Sequence, residues 1–201
     1  AFVDLWAAFD LVPRDLLWTR LADLGVPDYL LRSLVALHDG NFAQIQWGTQ
    51  GELTNKIPNE RGVRQGCVLA PTLFNLYIND ISDFFLKTCH DCPKIVGLKT
   101  PILTFADDSL LLSCTASGLQ NLLNRFIENI DSRGLEININ KTKCMTFEAR
   151  KGKSYRFFTQ GTVLENVNSI DYLGIRLNKH MKWDDHLQKS LLLIKQRGGA
   201  I

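Results

Sequence analysis

Three carboxylates stand where carboxylates are costly. Asp4 interrupts the apolar run Ala1-Phe2-Val3-Asp4-Leu5, and Asp107-Asp108 separates two others, Pro101 to Ala106 and Ser109 to Leu112. An ionised acid in an apolar strand is unfavourable unless it is paired or binds a cation. Two adjacent acids at a tight strand reversal also repel each other. A plain hairpin turn is the other reading, but such turns favour Asn-Gly or Asp-Gly. Carboxylates from two neighbouring strands can hold two Mg²⁺ ions. Such a pair activates an attacking hydroxyl and stabilises the leaving oxygen of an in-line displacement at phosphorus. The same acids could bind Ca²⁺ structurally, although the sequence contains no EF-hand-like loop. Cys89-His90-Asp91-Cys92 has the residue types of half a zinc site, yet no second ligand pair follows at finger spacing.

The elements that must position these acids are readable from periodicity and punctuation. Residues 1–5 read as a buried strand. Pro13 opens a helix with Leu17, Leu21 and Leu24 on one face, ending at Gly25. Pro27 opens a second, ending near Gly40. Ala43, Ile45 and Trp47 alternate with Gln44 and Gln46, the pattern of a half-buried strand, and Leu53 to Ile57 can return beside it. Residues 58–69 are aperiodic. Pro71 starts a long helix through Leu73, Phe74, Tyr77, Ile78, Ile81, Phe84 and Phe85. Strands follow at Lys94 to Thr100, Ile102 to Ala106 and Leu110 to Ser113. Ser117 and Gln120 form a capping box for a helix with Leu119, Leu122, Leu123, Phe126 and Ile130 inside, ending at Arg133-Gly134. Ile137 with Ile139, Met145 to Phe147, Tyr155 to Phe158 and Tyr172 to Leu177 are further strand segments. Asp184 or Asp185 caps a last helix carrying Leu187, Leu191 and Ile194. This order predicts an α+β fold: a mixed sheet with helices packed on one side.

Composition bounds the rest. The chain has 201 residues, 45% hydrophobic and 22% charged, enough to bury a core and with no apolar run approaching a membrane span. The first residue is Ala1 and the apolar start contains Asp4, which argues against a signal peptide and suggests a chain that begins mid-protein. Five cysteines (Cys67, Cys89, Cys92, Cys114 and Cys144), odd in number and irregular in spacing, fit a reducing compartment. The net charge of +2 is uneven, since residues 141–182 hold nine Lys and Arg against three acids. That stretch is either a solvated basic face or a track for a polyanion.

The residues also carry a family resemblance. Phe2-Val3-Asp4-Leu5-Trp6-Ala7-Ala8-Phe9-Asp10 resembles motif A of reverse transcriptases. Arg61-Gly62-Val63-Arg64-Gln65-Gly66-Cys67-Val68-Leu69-Ala70-Pro71, continuing through Leu73 to Asp80, is similar to motif B. Phe105-Ala106-Asp107-Asp108 looks like motif C. Gly134-Leu135-Glu136-Ile137-Asn138 with Lys141-Thr142-Lys143 resembles motif D, and Tyr172-Leu173-Gly174 resembles motif E. The wording of motifs B and D is close to that of non-LTR, LINE-type retrotransposon enzymes. The likeness runs from residue 1 to about 177.

The resemblance implies a reverse-transcriptase palm with part of the fingers over residues 1–177, and the start of a thumb over 178–201. It implies RNA-directed DNA polymerase activity on an RNA template, a DNA primer and dNTPs, with two Mg²⁺ ions (Mn²⁺ possible) as cofactors. Asp4 and Asp107 would ligate the ions, Asp108 would support them, and the Leu5 carbonyl would be a further ligand. Ala7 and Ala8 would offer backbone amides to the triphosphate. Phe9 would be the steric wall against a ribose 2′-hydroxyl, although on residue type alone it reads as a core Phe. Asp10 reads as a cap for the Pro13 helix. Arg61 and Arg64 would face phosphates, and Gln65 and Gly66 would lie beside the nucleotide. Lys141, with Lys143 second, would donate a proton to the departing pyrophosphate. Tyr172, Leu173 and Gly174 would hold the primer end. Implied partners include the remainder of a retrotransposon polyprotein, with no membrane, and an intracellular location in cytoplasm and nucleus. A non-catalytic nucleic-acid-binding relic and a group II intron maturase-type enzyme are the competing readings.

Overall fold

A computed structural model describes residues 1–49, 51–64, 66–147 and 155–198. The fold is α+β, built on one sheet of six strands. Its order is Glu165–Asn166, Lys143–Cys144, Phe2–Trp6, Asp108–Leu111 and Ile102–Phe105, with Glu136–Ile137 also paired to Phe2–Trp6. Every pairing is antiparallel except that of Lys143–Cys144 with Glu165–Asn166.

Alternation sorts the central strands into two faces. Val3, Leu5, Ser109 and Leu111 are buried on the helix side. Phe2, Asp4, Leu110 and Asp108 share the other face, because Phe2 pairs with Leu110 and Asp4 with Asp108. The core joins Val3, Leu5 and Leu111 to Phe74, Tyr77 and Phe85 and to Leu123, Phe126 and Ile130 of the Ala116–Asp131 helix. Each such side chain contributes about 1.5–3 kcal/mol through burial.

Several elements differ from the sequence expectation. The long helix divides at Asn79 into Ala70–Ile78 and Asp80–Thr88. The Ala116–Asp131 helix is capped by Thr115, whose hydroxyl accepts from the Gly118 amide at 3.0 Å. Ser117 is therefore inside the helix, and Gln120 instead bonds Asn124 and the Phe158 backbone. Asp91 explains the choice, since it accepts from the Thr115 hydroxyl and locks that residue at the helix start. The Arg14–Asp23 helix buries Leu17 and Leu21 but leaves Leu24 half exposed.

The 42–58 segment forms two short ladders, Phe42–Ala43 with Ile57–Pro58 and Gln46–Trp47 with Glu52–Leu53. Ile45 and Trp47 are exposed, because no second layer covers this ribbon among the described residues. The 94–100 segment is a small hairpin of Lys94–Ile95 and Leu98–Lys99. Met145 to Phe147 gives way to Lys143–Cys144, and Tyr155 to Phe158 to Phe158–Thr159. Tyr172 to Leu177 is not one continuous strand: Ser169–Tyr172 and Ile175–Asn178 pair as a hairpin around Leu173-Gly174. The last helix, Asp184–Gly198, has Leu187, Leu191 and Ile194 exposed. No helix among the described residues is long and apolar enough to cross a membrane.

One polar network ties the helices together, and local sequence gave no sign of it. Asp80 accepts from both Arg20 nitrogens at 2.6 and 2.9 Å and from Arg133 at 3.1 Å. Tyr77, fully buried, donates to the Arg133 carbonyl. Burial pushes the Asp80 carboxyl up, but the hydrogen bonds from Arg20 and Arg133 outweigh it and leave it below its ordinary value. A depressed carboxyl stabilises the fold above its unfolded value near 3.8, and the benefit is lost as pH falls through the folded value. We expect Asp80→Asn to cost about 1 kcal/mol at pH 7, discounted for the half-exposed side chain. In urea melts the difference from wild type should shrink as pH falls below 3.8 and through the lower folded value. A difference unchanged by pH would assign the loss to packing instead.

Candidate active site

The Phe2–Trp6 strand places Asp4 between two neighbours. On one side Asp108 stands directly opposite it in the ladder. On the other side, the pairings Leu5 with Ile137 and Phe2 with Lys143 leave residues 138–142 to turn outward at the level of Asp4. The turn is fixed by Asn138 and Thr142, both buried, which the motif D resemblance includes without giving them a role. The Asn138 amide donates to the Asp4 carbonyl at 2.8 Å, and the Asp4 amide donates to the Thr142 hydroxyl at 3.4 Å. The turn carries Lys141, whose Nζ lies 3.6 Å from Asp4 Oδ2.

These groups line a groove of about 370 Å³ with Asn140, Asp171 and Tyr172. Tyr172 packs edge-on against Phe2, ring centroids 5.4 Å apart, so the Ser169–Asn178 hairpin closes one side. The charge balance is strained. Burial first, then the charges of Asp107 and Asp4, push the Asp108 carboxyl above its ordinary value, while Lys141 pulls it down. Burial and the Asp108 charge likewise push the Tyr172 phenol up.

Asp107 is not opposite Asp4. It lies in the two-residue turn between the Ile102–Phe105 and Asp108–Leu111 strands, after Ala106 at φ 52°. Ala7, at φ 42°, and Leu173, at φ 48°, are held in the same left-handed region. A side chain is disfavoured there by about 1 kcal/mol or more, and such strain gathers at functional sites. All three residues flank the groove strands or the hairpin beside them.

Other expected residues fall as follows. Leu5 is buried and Ala8 lies inside the short Ala8–Leu11 helix. Phe9 is half buried, its ring 4.8 Å from that of Phe74, and its carbonyl accepts from the Val63 amide. Asp10 lies within Ala8–Leu11 and does not cap the next helix, which has no side-chain cap. Arg61 is exposed, and one guanidinium nitrogen donates to the Leu11 and Gly134 carbonyls at 3.1 and 3.3 Å. Arg64 and Gly66 are exposed, and Gln65 lies outside the described residues, as do Arg150, Lys151 and Lys153 of the basic stretch. Lys143 is paired with Glu165, so Lys141 is the motif D lysine that faces Asp4. Arg14, which no motif indicated, clamps the loop before Arg64 by donating to the Gly62, His38, Asn59 and Arg61 carbonyls.

The donor chemistry suits a hard cation. Asp4 Oδ2 is buried and accepts no hydrogen bond, and Asp108 faces it with a raised carboxyl. Oxygen donors of this kind fit Mg²⁺ or Mn²⁺. Among the described residues, no three His, Cys, Asp or Glu side chains are already gathered around one point, at Cys89-Cys92 or in the groove.

A family model described as "Reverse transcriptase (RNA-dependent DNA polymerase)" matches residues 1–177. The chain is 28% identical over 193 residues to the RNA-directed DNA polymerase from mobile element jockey of Drosophila melanogaster, covering 93% of this chain and 20% of that protein. It is 30% identical over 184 residues to a retrovirus-related Pol polyprotein from the type-1 retrotransposable element R2 of Popillia japonica, covering 86% and 25%. It thus spans a quarter or less of the length of these two relatives. In structure it is similar to apo telomerase from Candida tropicalis, with a TM-score of 0.59 at 12% identity over 89% of this chain and 31% of that one. That last likeness is one of fold.

Proposed function

The chain belongs to the reverse transcriptase family, and from that premise we propose that it is the palm, with part of the fingers, of a LINE-type RNA-directed DNA polymerase, residues 178–201 beginning the thumb. It adds dNTPs to a DNA primer on an RNA template. The observation that carries this is the register of Asp4 against Asp108, with Lys141 beside them in one groove.

Asp4 and Asp107, supported by Asp108 and the Leu5 carbonyl, would hold two Mg²⁺ ions, which would supply activation of the primer 3′-hydroxyl and neutralisation of charge on the α-phosphate. The protein's own contribution is position and electrostatics. The Ala7 and Ala8 amides, Arg64, Gln65 and Gly66 seat the nucleotide. Lys141 donates the proton to pyrophosphate, and Tyr172, Leu173 and Gly174 orient the primer end. The protein acts inside the cell, in cytoplasm and nucleus, beside the rest of a retrotransposon polyprotein.

Primer extension tests the reading. A longer protein that adds fingers and full thumb to residues 1–201 should extend a DNA primer on RNA in Mg²⁺. The 201-residue chain alone should bind nucleic acid weakly, lose that binding steeply as salt rises, and not extend. Tight primer–template binding by the longer protein without extension would overturn the catalytic reading.

Phe9 carries the sugar choice. Its ring is backed by Phe74, so it forms a wall with little freedom to yield. In the longer protein, Phe9→Ala should lower discrimination against ribonucleotides by about 1–3 kcal/mol, the scale of one pocket contact. The ratio of kcat/KM for dNTP and rNTP measures it, and an unchanged ratio would return Phe9 to core packing.

A further inference from the structure

We propose that Lys141 is a gate on the metal site: its ammonium and a divalent cation compete for the same Asp4 oxygen, so the groove loads metal only as Lys141 swings away. The inference rests on the reading of the groove as a metal centre and adds to it a step before chemistry.

Asp4 Oδ2 is sealed from water yet accepts no hydrogen bond. Lys141 Nζ approaches it to 3.6 Å, inside ion-pair range but beyond a hydrogen bond. Such a contact neutralises the oxygen without holding it firmly. The two partners differ in freedom. The Asp4 side chain is only 23% exposed, whereas that of Lys141 is 69% exposed and can leave with little loss of packing.

The backbone beneath Lys141 is fixed. Its amide donates to the Asn138 carbonyl and to Asn138 Oδ1, and the Thr142 amide donates to the same carbonyl at 2.8 Å. Movement is therefore confined to a long side chain on an anchored turn.

The other cations nearby are committed elsewhere. Lys143 is on Glu165, and Lys189, with Arg176, is on Asp171. One ammonium against the facing Asp4 and Asp108 leaves the pair under-neutralised, so a doubly charged ion outcompetes it. Once displaced, Lys141 is released at the groove mouth, where a departing anion needs a proton donor. The gate thereby orders the two events, metal first and lysine free second.

The test uses the 201-residue chain and needs no turnover. In a spectrum of ¹³C-labelled lysine side chains, Mg²⁺ should move the Lys141 resonance to the position it holds in Asp4→Asn. By electron paramagnetic resonance of free Mn²⁺, Lys141→Met should bind Mn²⁺ about two- to fivefold tighter than wild type, the scale of a partly exposed ion pair. Lys141→Met removes an exposed side chain, so its folding is not at issue. If Mn²⁺ binds wild type, but the Lys141 resonance stays in place and Lys141→Met binds no tighter, the gate is overturned and the metal centre stands. If wild type and Lys141→Met bind no more Mn²⁺ than Asp4→Asn does, the metal-centre reading fails and the gate falls with it.

Discussion

Asp4→Asn should abolish extension by the longer polymerase while leaving the fold as stable as before, or more so. Removing one group aimed at developing charge already costs about 10²–10³ in rate. On the proposed reading Asp4 would serve two ions, so a loss of at least about a thousandfold in kcat is expected. The stability half of the expectation has its own cause. Asp4 and Asp108 are directly opposed in the ladder, and like charges so placed destabilise a sheet. Asparagine keeps the shape and removes one charge, at the cost of the loose pair with Lys141. Thermal melting beside primer extension separates the two effects. A variant that loses activity and also melts several degrees lower would make Asp4 a structural residue whose catalytic effect is secondary.

That opposition of activity and stability was partly legible in the sequence. An acid inside the apolar run Ala1 to Leu5 is costly unless it is paired or binds a cation, and two more at a strand reversal point to the same site, with a plain hairpin turn as the other reading. The helices were legible for a similar reason. Pro13, Gly25 and Pro27 punctuate the Arg14–Asp23 and Asp28–His38 helices, and Leu119 to Ile130 repeats at helical spacing.

What sequence could not supply was register. Whether Asp107 or Asp108 faces Asp4 depends on a one-residue shift in strand pairing, and such a shift exchanges the faces. Nor could it supply contacts between distant segments. The capping box at Ser117 fitted its local pattern, but Asp91, 24 residues before Thr115, decided where the helix begins. Arg61 gave no sign that one of its guanidinium nitrogens ties Leu11 and Gly134, 50 and 73 residues away. The short ladders of residues 42–58 read as half buried because their alternation is real, but nothing among the described residues covers them.

The second large effect follows from one such long-range contact. Gly62 should not tolerate even alanine. Its φ is +81°, a region that disfavours any side chain, and a Cβ there would sit 2.6 Å from the Asp10 carbonyl oxygen and 2.7 Å from its Cα. Both obstacles are backbone, so neither can rotate aside. The same loop is pinned from three directions. The Gly62 amide donates to the Val12 carbonyl, the Val63 amide to the Phe9 carbonyl, and Arg14 Nε to the Gly62 carbonyl at 2.9 Å. Gly62→Ala must therefore push the loop off the Ala8–Leu11 helix, and we expect a loss of about 2–3 kcal/mol, or roughly 5–10 °C in Tm. Gly66→Ala is the internal control. Its φ of +79° is equally unfavourable, but nothing lies within 4 Å of the added carbon, so about 1 kcal/mol is expected. The gap between the two variants isolates the clash from the strain. Because Phe9 sits on the displaced helix, Gly62→Ala in the longer enzyme should also weaken sugar discrimination, while Gly66→Ala should leave Phe9 where it is. Equal melting temperatures for the two variants would mean that the loop yields freely, and that Phe9 is held by Phe74 alone.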